Sequence, residues 1–201
     1  MARPQAQDYD HKRQLILNEA TRLFAQNGFH ATSVTDIADA CATSKSRLYH
    51  YFTSKEQVLY EILRGHAQSL SRSFLPILED QYLDPAAKLE KFATHLLLKN
   101  LKFKANHKLI LSEMDALNSA QRREVARLLR RPIEAISEML VAINPTLERE
   151  KSMQFPIAMM FIGMINWTHT WFSRDGELSP EHFAKLLCDI FMNGFSSAAL
   201  K

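Results

Sequence analysis

The chain has 201 residues, 46% of them hydrophobic and 23% charged, with a formal net charge of +3 and a pI near 8.9. A chain of this length buries about 70% of the surface its unfolded form exposes, enough for one good core or for a small domain beside a larger one. So slight a net charge excludes a polybasic nucleic-acid binder, and any affinity for DNA has to come from local arrangement instead of a global field.

The opening MARPQAQDYDHKR lacks an apolar signal core. No uninterrupted apolar run approaches the ~18 residues of a spanning helix; the longest candidate, 155–172, is interrupted by Pro156, Asn166 and His169. Cys41 and Cys188 each fall on an apolar helical stripe, far apart in sequence, which fits buried thiols in a reducing cytoplasm. Gly and Pro number only five and seven, and nearly every segment keeps a helical period. The expected fold class is all-α, in a soluble cytoplasmic protein.

In chain order, a helix over 8–27 offers Ile16, Ala20, Leu23 and Phe24 as its buried stripe and stops at Gly28. Ser33-x-x-Asp36 reads as a capping box ahead of Val34, Ile37, Ala38 and Cys41. The run Ala42-Thr43-Ser44 breaks that pattern, and Ser44 can accept from the free N–H groups of a new helix opening at Lys45. In it Leu48 and Phe52 dock inward, while Lys45, Ser46, Arg47, Tyr49, His50 and Tyr51 occupy the remaining surface. Ser54 followed by Gln57 caps a longer helix through Val58, Leu59, Ile62 and Leu63. Three helices therefore close a small core, with two short helices and a tight turn in the arrangement that sets one helix into a DNA groove.

These residues resemble the amino-terminal domain of the TetR/AcrR family of transcriptional regulators. The family wording F-x-x-x-G-F/Y-x-x-T-S/T-V-x-x-I-A, then S-K-x-x-L-Y-x-Y/H-F, then S-K-E-x-L stands here as Phe24 to Ala38, Ser44 to Phe52 and Ser54 to Leu59. Two departures stand out: Ala42 replaces the usual turn glycine, and Ser46 the small residue, often Gly, after the helix-opening Lys. Ala42 needs a turn that tolerates a Cβ, at about 1 kcal/mol if φ is positive. The resemblance implies a three-helix helix-turn-helix head over 1–54, a connecting helix from about 55, and a larger helical domain over 55–201 for ligand binding and dimerisation.

Lys45 and Arg47 are the donors best placed for phosphates or guanine. The resemblance puts Tyr49, Tyr51 and Lys55 against the sugar-phosphate backbone, where they position more than they specify. His50 faces a base edge or the backbone. Thr32 and Ser33 open the preceding helix, whose N–H groups suit a phosphate as well as a cap. Thr43, Ser44 and Ser46 sit at the mouth of the groove.

Beyond residue 65, helices are predicted over 55–78, 85–100, 105–116, 120–143, 146–172 and 179–198, punctuated by prolines. The last two carry the most apolar weight. Phe161, Met164, Thr168, Phe183, Leu187, Ile190, Phe191 and Phe195 are the candidate interface of a twofold four-helix dimer bundle; the alternative is that they form the core of a monomer. A twofold pair of heads implies a palindromic double-stranded DNA operator.

Arg122, Arg123, Arg127, Arg130 and Arg131 form the densest basic run, read either as a solvated helix face or as an anion clamp at the mouth of a ligand cavity. The string 166–172, followed by Gly176 and Leu178-Ser179-Pro180-Glu181, resembles TetR-type regulators that respond to acyl-coenzyme A thioesters. That implies an effector with an apolar tail and a polyanionic handle. Candidate pocket walls are Phe103, His107, Ile110, Leu111, Met114, Phe161, Ile165 and His169, which at helical spacing are equally plain core. His95, His107, His169 and His182 lack metal-ligand spacing, and no nucleophile, Walker or dinucleotide motif is present. No cofactor and no enzymatic activity are expected. The leading reading is a homodimeric repressor released from DNA by a small effector. The alternatives are an effector-independent regulator or activator, and a helical interaction scaffold or enzyme.

Overall fold

A computed structural model describes residues 3–195, with side chains over 8–194. Among them every regular element is helical: α1 (Arg3–Asn27), α2 (Val34–Ala40), α3 (Lys45–Tyr51), α4 (Lys55–Ser73), α5 (Leu75–Leu78), α6 (Pro85–Lys102), α7 (Lys104–Ser112), α8 (Ser119–Ile143), α9 (Lys151–Asn166) and α10 (Pro180–Phe195). Short 3-10 turns follow α7, α8 and α9. The all-α expectation holds. Among the described residues no helix is long and apolar enough to cross a membrane, and no cluster of His, Cys, Asp or Glu is placed to hold a metal ion.

The ends of the helices follow local chemistry. The first helix begins at Arg3 instead of residue 8, because Pro4 in a first turn forfeits only an N–H that has no acceptor there. The continuous helix expected over 55–78 breaks at Phe74: Pro76 cannot donate to the carbonyl of Arg72, so the chain restarts as α5. The single helix expected over 146–172 is likewise a 3-10 turn, then α9, then a second 3-10 turn. Asp84 caps α6 by accepting from the Ala86 and Ala87 N–H groups at 2.9 Å, ahead of Pro85 at the first helical position. Residues 196–198, expected at the end of the last helix, lie outside the described residues.

By its contacts the chain divides into two compact units: the chain up to Ala67 with Ala105–Ala126, and Gln68–Lys104 with the chain from Arg127 on. The expected boundary at 54 falls inside the first unit, since α4 buries Val58, Leu59, Ile62 and Leu63 there. The first unit, the head, also buries Ile16, Ala20, Phe24, Phe29, Ile37, Leu48 and Phe52. The second unit, the body, is built on one cluster that includes Phe74, Phe92, Leu97, Ile136, Leu140, Ile157, Phe161 and Leu187. Within it Phe74 and Phe92 stack at 3.9 Å.

Candidate nucleic-acid interface

The head is built around three serine caps. Asp36 N donates to Ser33 Oγ at 3.1 Å while Ser33 N donates to Asp36 Oδ2 at 2.7 Å, a complete capping box that starts α2. Arg47 N donates to Ser44 Oγ at 3.1 Å and starts α3. Gln57 N donates to Ser54 Oγ at 3.1 Å and starts α4, but the Gln57 side chain turns forward to Glu61 at 3.2 Å, so this cap is one-sided. Between α2 and α3, Ala42 takes φ +48°, the one non-glycine residue with positive φ among those described. The turn therefore has the geometry for which a glycine is usual, and the alanine carries the strain. Cys41 beside it is only half buried, not buried as its stripe suggested.

α3 has two faces. Leu48 is fully buried, and Lys45, Ser46, Arg47, Tyr49 and His50 are exposed. Tyr51 is half buried against Tyr9 of α1, ring centroids 4.7 Å apart, and the same Tyr9 meets the His50 ring edge-on at 6.2 Å. Ser44 is exposed at the cap and Thr43 half buried in the turn. The exposed face thus presents two cations, a phenol and an imidazole on one short helix. On α1, Asp8 is held below the usual carboxylate range chiefly by a hydrogen bond from Lys12 Nζ at 2.6 Å, and the Arg47 guanidinium adds to that effect.

Three of the sequence candidates have hydrogen-bond partners within the head. Thr32 is buried, its hydroxyl donating to Gly28 O at 2.8 Å, because the loop that leaves α1 needs its carbonyls satisfied. Lys55 turns back on the same loop, Nζ lying 2.8 Å from both Phe29 O and Thr32 O. Ser33 is exposed, but its hydroxyl serves Asp36, whose carboxylate is held below its ordinary value by hydrogen bonds from Ser33. An anion is thus already seated at the start of α2.

Of the eight candidate pocket walls, Phe103, Phe161, Ile165 and His169 belong to the body, whereas His107, Ile110, Leu111 and Met114 belong to the head. Phe161 and Ile165 are core, His107 is buried with its ring 6.4 Å from that of His66, and Leu111 is exposed. The basic run behaves as a solvated helix face: Arg122 pairs with Asp115 at 3.0 Å, Arg130 with Glu134 at 2.7 Å and Arg131 with Glu138 at 3.0 Å, while Arg123 and Arg127 are exposed. Two polar side chains lie inside the body. Asn100 donates to Asn166 Oδ1 at 3.4 Å, and its own Oδ1 and the His95 Nε2 are buried without a hydrogen-bond partner among the described residues.

Of the expected dimer face, Phe161, Thr168 and Leu187 are buried within the body and Phe183 and Phe191 are partly buried, because these residues fill the body's own core. Met164 and Ile190 are exposed, and the Phe195 side chain lies outside the described residues. The outward stripe is one step around each helix: Met160, Met164, Trp167 and Trp171 on α9 and its 3-10 extension, with Leu186 and Ile190 on α10. Trp167 is 66% exposed. α9 is apolar on nearly every side, so spacing alone did not separate its inward stripe from its outward one.

A capped helix pair joined by a strained turn, with the second helix showing its basic and aromatic side to solvent, defines a helix-turn-helix protein. Residues 16–62 match the model for bacterial regulatory proteins of the tetR family, and residues 82–195 the model for the tetracyclin repressor-like C-terminal domain. The chain belongs to the TetR family of DNA-binding transcriptional regulators. Its similarity to the HTH-type transcriptional repressor KstR2 of Rhodococcus jostii is 28% identity over 98% of both chains. A TetR-family regulator from Bordetella parapertussis is 33% identical, over 94% of this chain and 98% of that one, with a TM-score of 0.85. AibR, solved with isovaleryl coenzyme A and operator DNA, is 24% identical over 89% of this chain and 97% of its own, TM-score 0.76, a likeness of fold.

Proposed function

We propose that this regulator is a homodimeric repressor whose α3 enters the major groove of a palindromic operator and whose body releases it on binding a small effector. The observation that carries the DNA-contact reading is the division of α3 into a buried Leu48 and an exposed set led by Lys45, Arg47 and Tyr49. Lys45 and Arg47 supply charge to phosphates or base edges; Tyr49, with Ser44, Ser46 and Thr43, supplies shorter-range hydrogen bonds. His50 and Tyr51 border this set, held by Tyr9.

Dimerisation is supported by the apolar stripe on α9 and α10. Six large side chains from Met160 to Ile190 are too many to leave in water on a monomer. Paired heads read two half-sites about 34 to 36 Å apart per helical turn.

For the effector, an acyl-coenzyme A thioester is supported by the resemblance of 166–172 and by AibR, which holds isovaleryl coenzyme A. The buried, partnerless Asn100 and His95 atoms supply polar groups inside an otherwise apolar body. α4 and α8 each run on from one unit into the other. An effector that favours one spacing of the two heads therefore changes operator affinity, by about 5- to 150-fold at the usual coupling of about 1 to 3 kcal/mol.

Selection of duplexes from randomised DNA tests the first part, and enrichment of no palindrome would overturn it. Titrating acyl thioesters of graded chain length into the resulting complex tests the second. Release by none of them favours an effector-independent regulator.

A further inference from the structure

We propose that Lys55 is a positioning residue for DNA recognition, one that fixes the loop in front of the helix-turn-helix and makes no phosphate contact itself. The inference rests on the DNA-binding reading above and departs from the backbone contact that the family resemblance implies for this position.

An ammonium has three donors and no acceptor. Those of Lys55 are met by Phe29 O and Thr32 O at 2.8 Å and, at 3.5 Å, by His30 O. Its Nζ also lies 4.4 Å from the centre of the Phe29 ring, within reach of a cation–π contact. Lys55 is the first residue of α4, where the helix dipole disfavours a positive charge. The carbonyls supply the opposing negative potential, so this charge is satisfied where it stands. Reaching out to a phosphate would break both short bonds and leave Phe29 O with only the 3.4 Å bond from Thr32 N.

The caged loop is the one that aims the reading helix. It begins at Gly28, whose φ of +89° ends α1, and finishes at Ser33, the cap of α2. Thr32 ties the same loop from within by donating to Gly28 O. Lys55 therefore staples the start of α4 to the entrance of α2, and α2 carries α3 through the turn at Ala42. Lys45 and Arg47, by contrast, stand exposed on α3. The same residue type has two tasks in one head, and salt distinguishes them: each phosphate contact adds about 0.9 to the slope of log affinity against log salt.

The test uses the full chain and the duplex it selects from randomised DNA, with an unrelated duplex of equal length for comparison. Affinities of unaltered protein, Lys55→Met and Lys45→Ala are measured over a range of salt, at a temperature where circular dichroism shows each variant folded. Lys55→Met should keep the salt slope of the unaltered protein and lower the ratio of selected to unrelated affinity about tenfold, because the reading helix is misaimed. Lys45→Ala should flatten the slope by about 0.9. A slope for Lys55→Met that flattens by the same amount overturns the proposal in favour of a phosphate contact. Unchanged affinity for both duplexes overturns it in favour of a purely structural role. In DNA-free protein, the Lys55 ammonium should give a slowly exchanging NMR signal apart from the other lysines, and a signal merged with theirs would contradict the cage. If the unaltered protein selects no duplex, the DNA-binding reading fails by itself, before any variant is compared.

Discussion

Leu48 and Tyr49 are neighbours in α3 on different faces, Leu48 0% and Tyr49 44% exposed. A single step of about 100° around the helix thus separates what holds the head together from what it offers to a partner. Leu48→Ala should cost about 2 to 5 kcal/mol of stability, the usual range for a truncated core leucine. Tyr49→Phe should leave the thermal midpoint within about 1 °C and still weaken operator binding, since it removes a hydroxyl from the surface and nothing from the core. Paired melting and binding curves check both, and equal losses of stability from the two substitutions would contradict the division.

Ala42 holds the turn at φ +48° with a Cβ in place. Ala42→Gly should raise stability to urea by about 0.5 kcal/mol, because the glycine removes the steric cost of that conformation and the looser unfolded chain returns only part of the gain. Operator affinity should be unchanged. A destabilised glycine variant would mean that the turn is unstrained.

Ile190 and Leu187 lie within one turn of α10, 60% and 4% exposed. Ile190→Glu should leave the fold intact and shift the protein to monomer in sedimentation, with loss of tight operator binding. Leu187→Ala should destabilise the body by about 2 to 5 kcal/mol without such a specific effect on assembly. A dimeric Ile190→Glu variant would remove this stripe from the interface.

Burial, and secondarily the charge of Lys99, hold the His95 imidazole below its ordinary value of 6.5. Between the lowered folded value and 6.5 the unfolded chain binds more protons than the folded one. Stability therefore falls as pH drops through 6.5, and the loss is complete below the folded value. His95→Leu should flatten this part of the profile, read as the denaturant midpoint at about pH 8 against about pH 5. A parallel profile for the variant would place the dependence elsewhere.

The head was legible because each step of it is local. Ser33, Ser44 and Ser54 each meet the backbone N–H three residues on, and such caps are written in adjacent letters. Lys55 was not legible, since its three carbonyl partners lie more than twenty residues upstream. The body failed for a related reason. α9 is apolar on nearly every side, so periodicity gave the helix but not the direction of Phe161, which is core, or of Met160 beside it, which is surface. For the five arginines of 122–131 the sequence left a solvated face and an anion clamp both open, because spacing does not show the acidic partners that Arg122, Arg130 and Arg131 have in Asp115, Glu134 and Glu138.

The two thiols are unequal. Burial pushes Cys188 up to about 12, which leaves almost no thiolate near neutrality, while Cys41, whose thiol burial also raises, sits half open beside the Ala42 turn. A maleimide dye added to the unaltered protein will therefore settle at the hinge of the reading element, a fluorescent gauge of docking that requires no engineered cysteine.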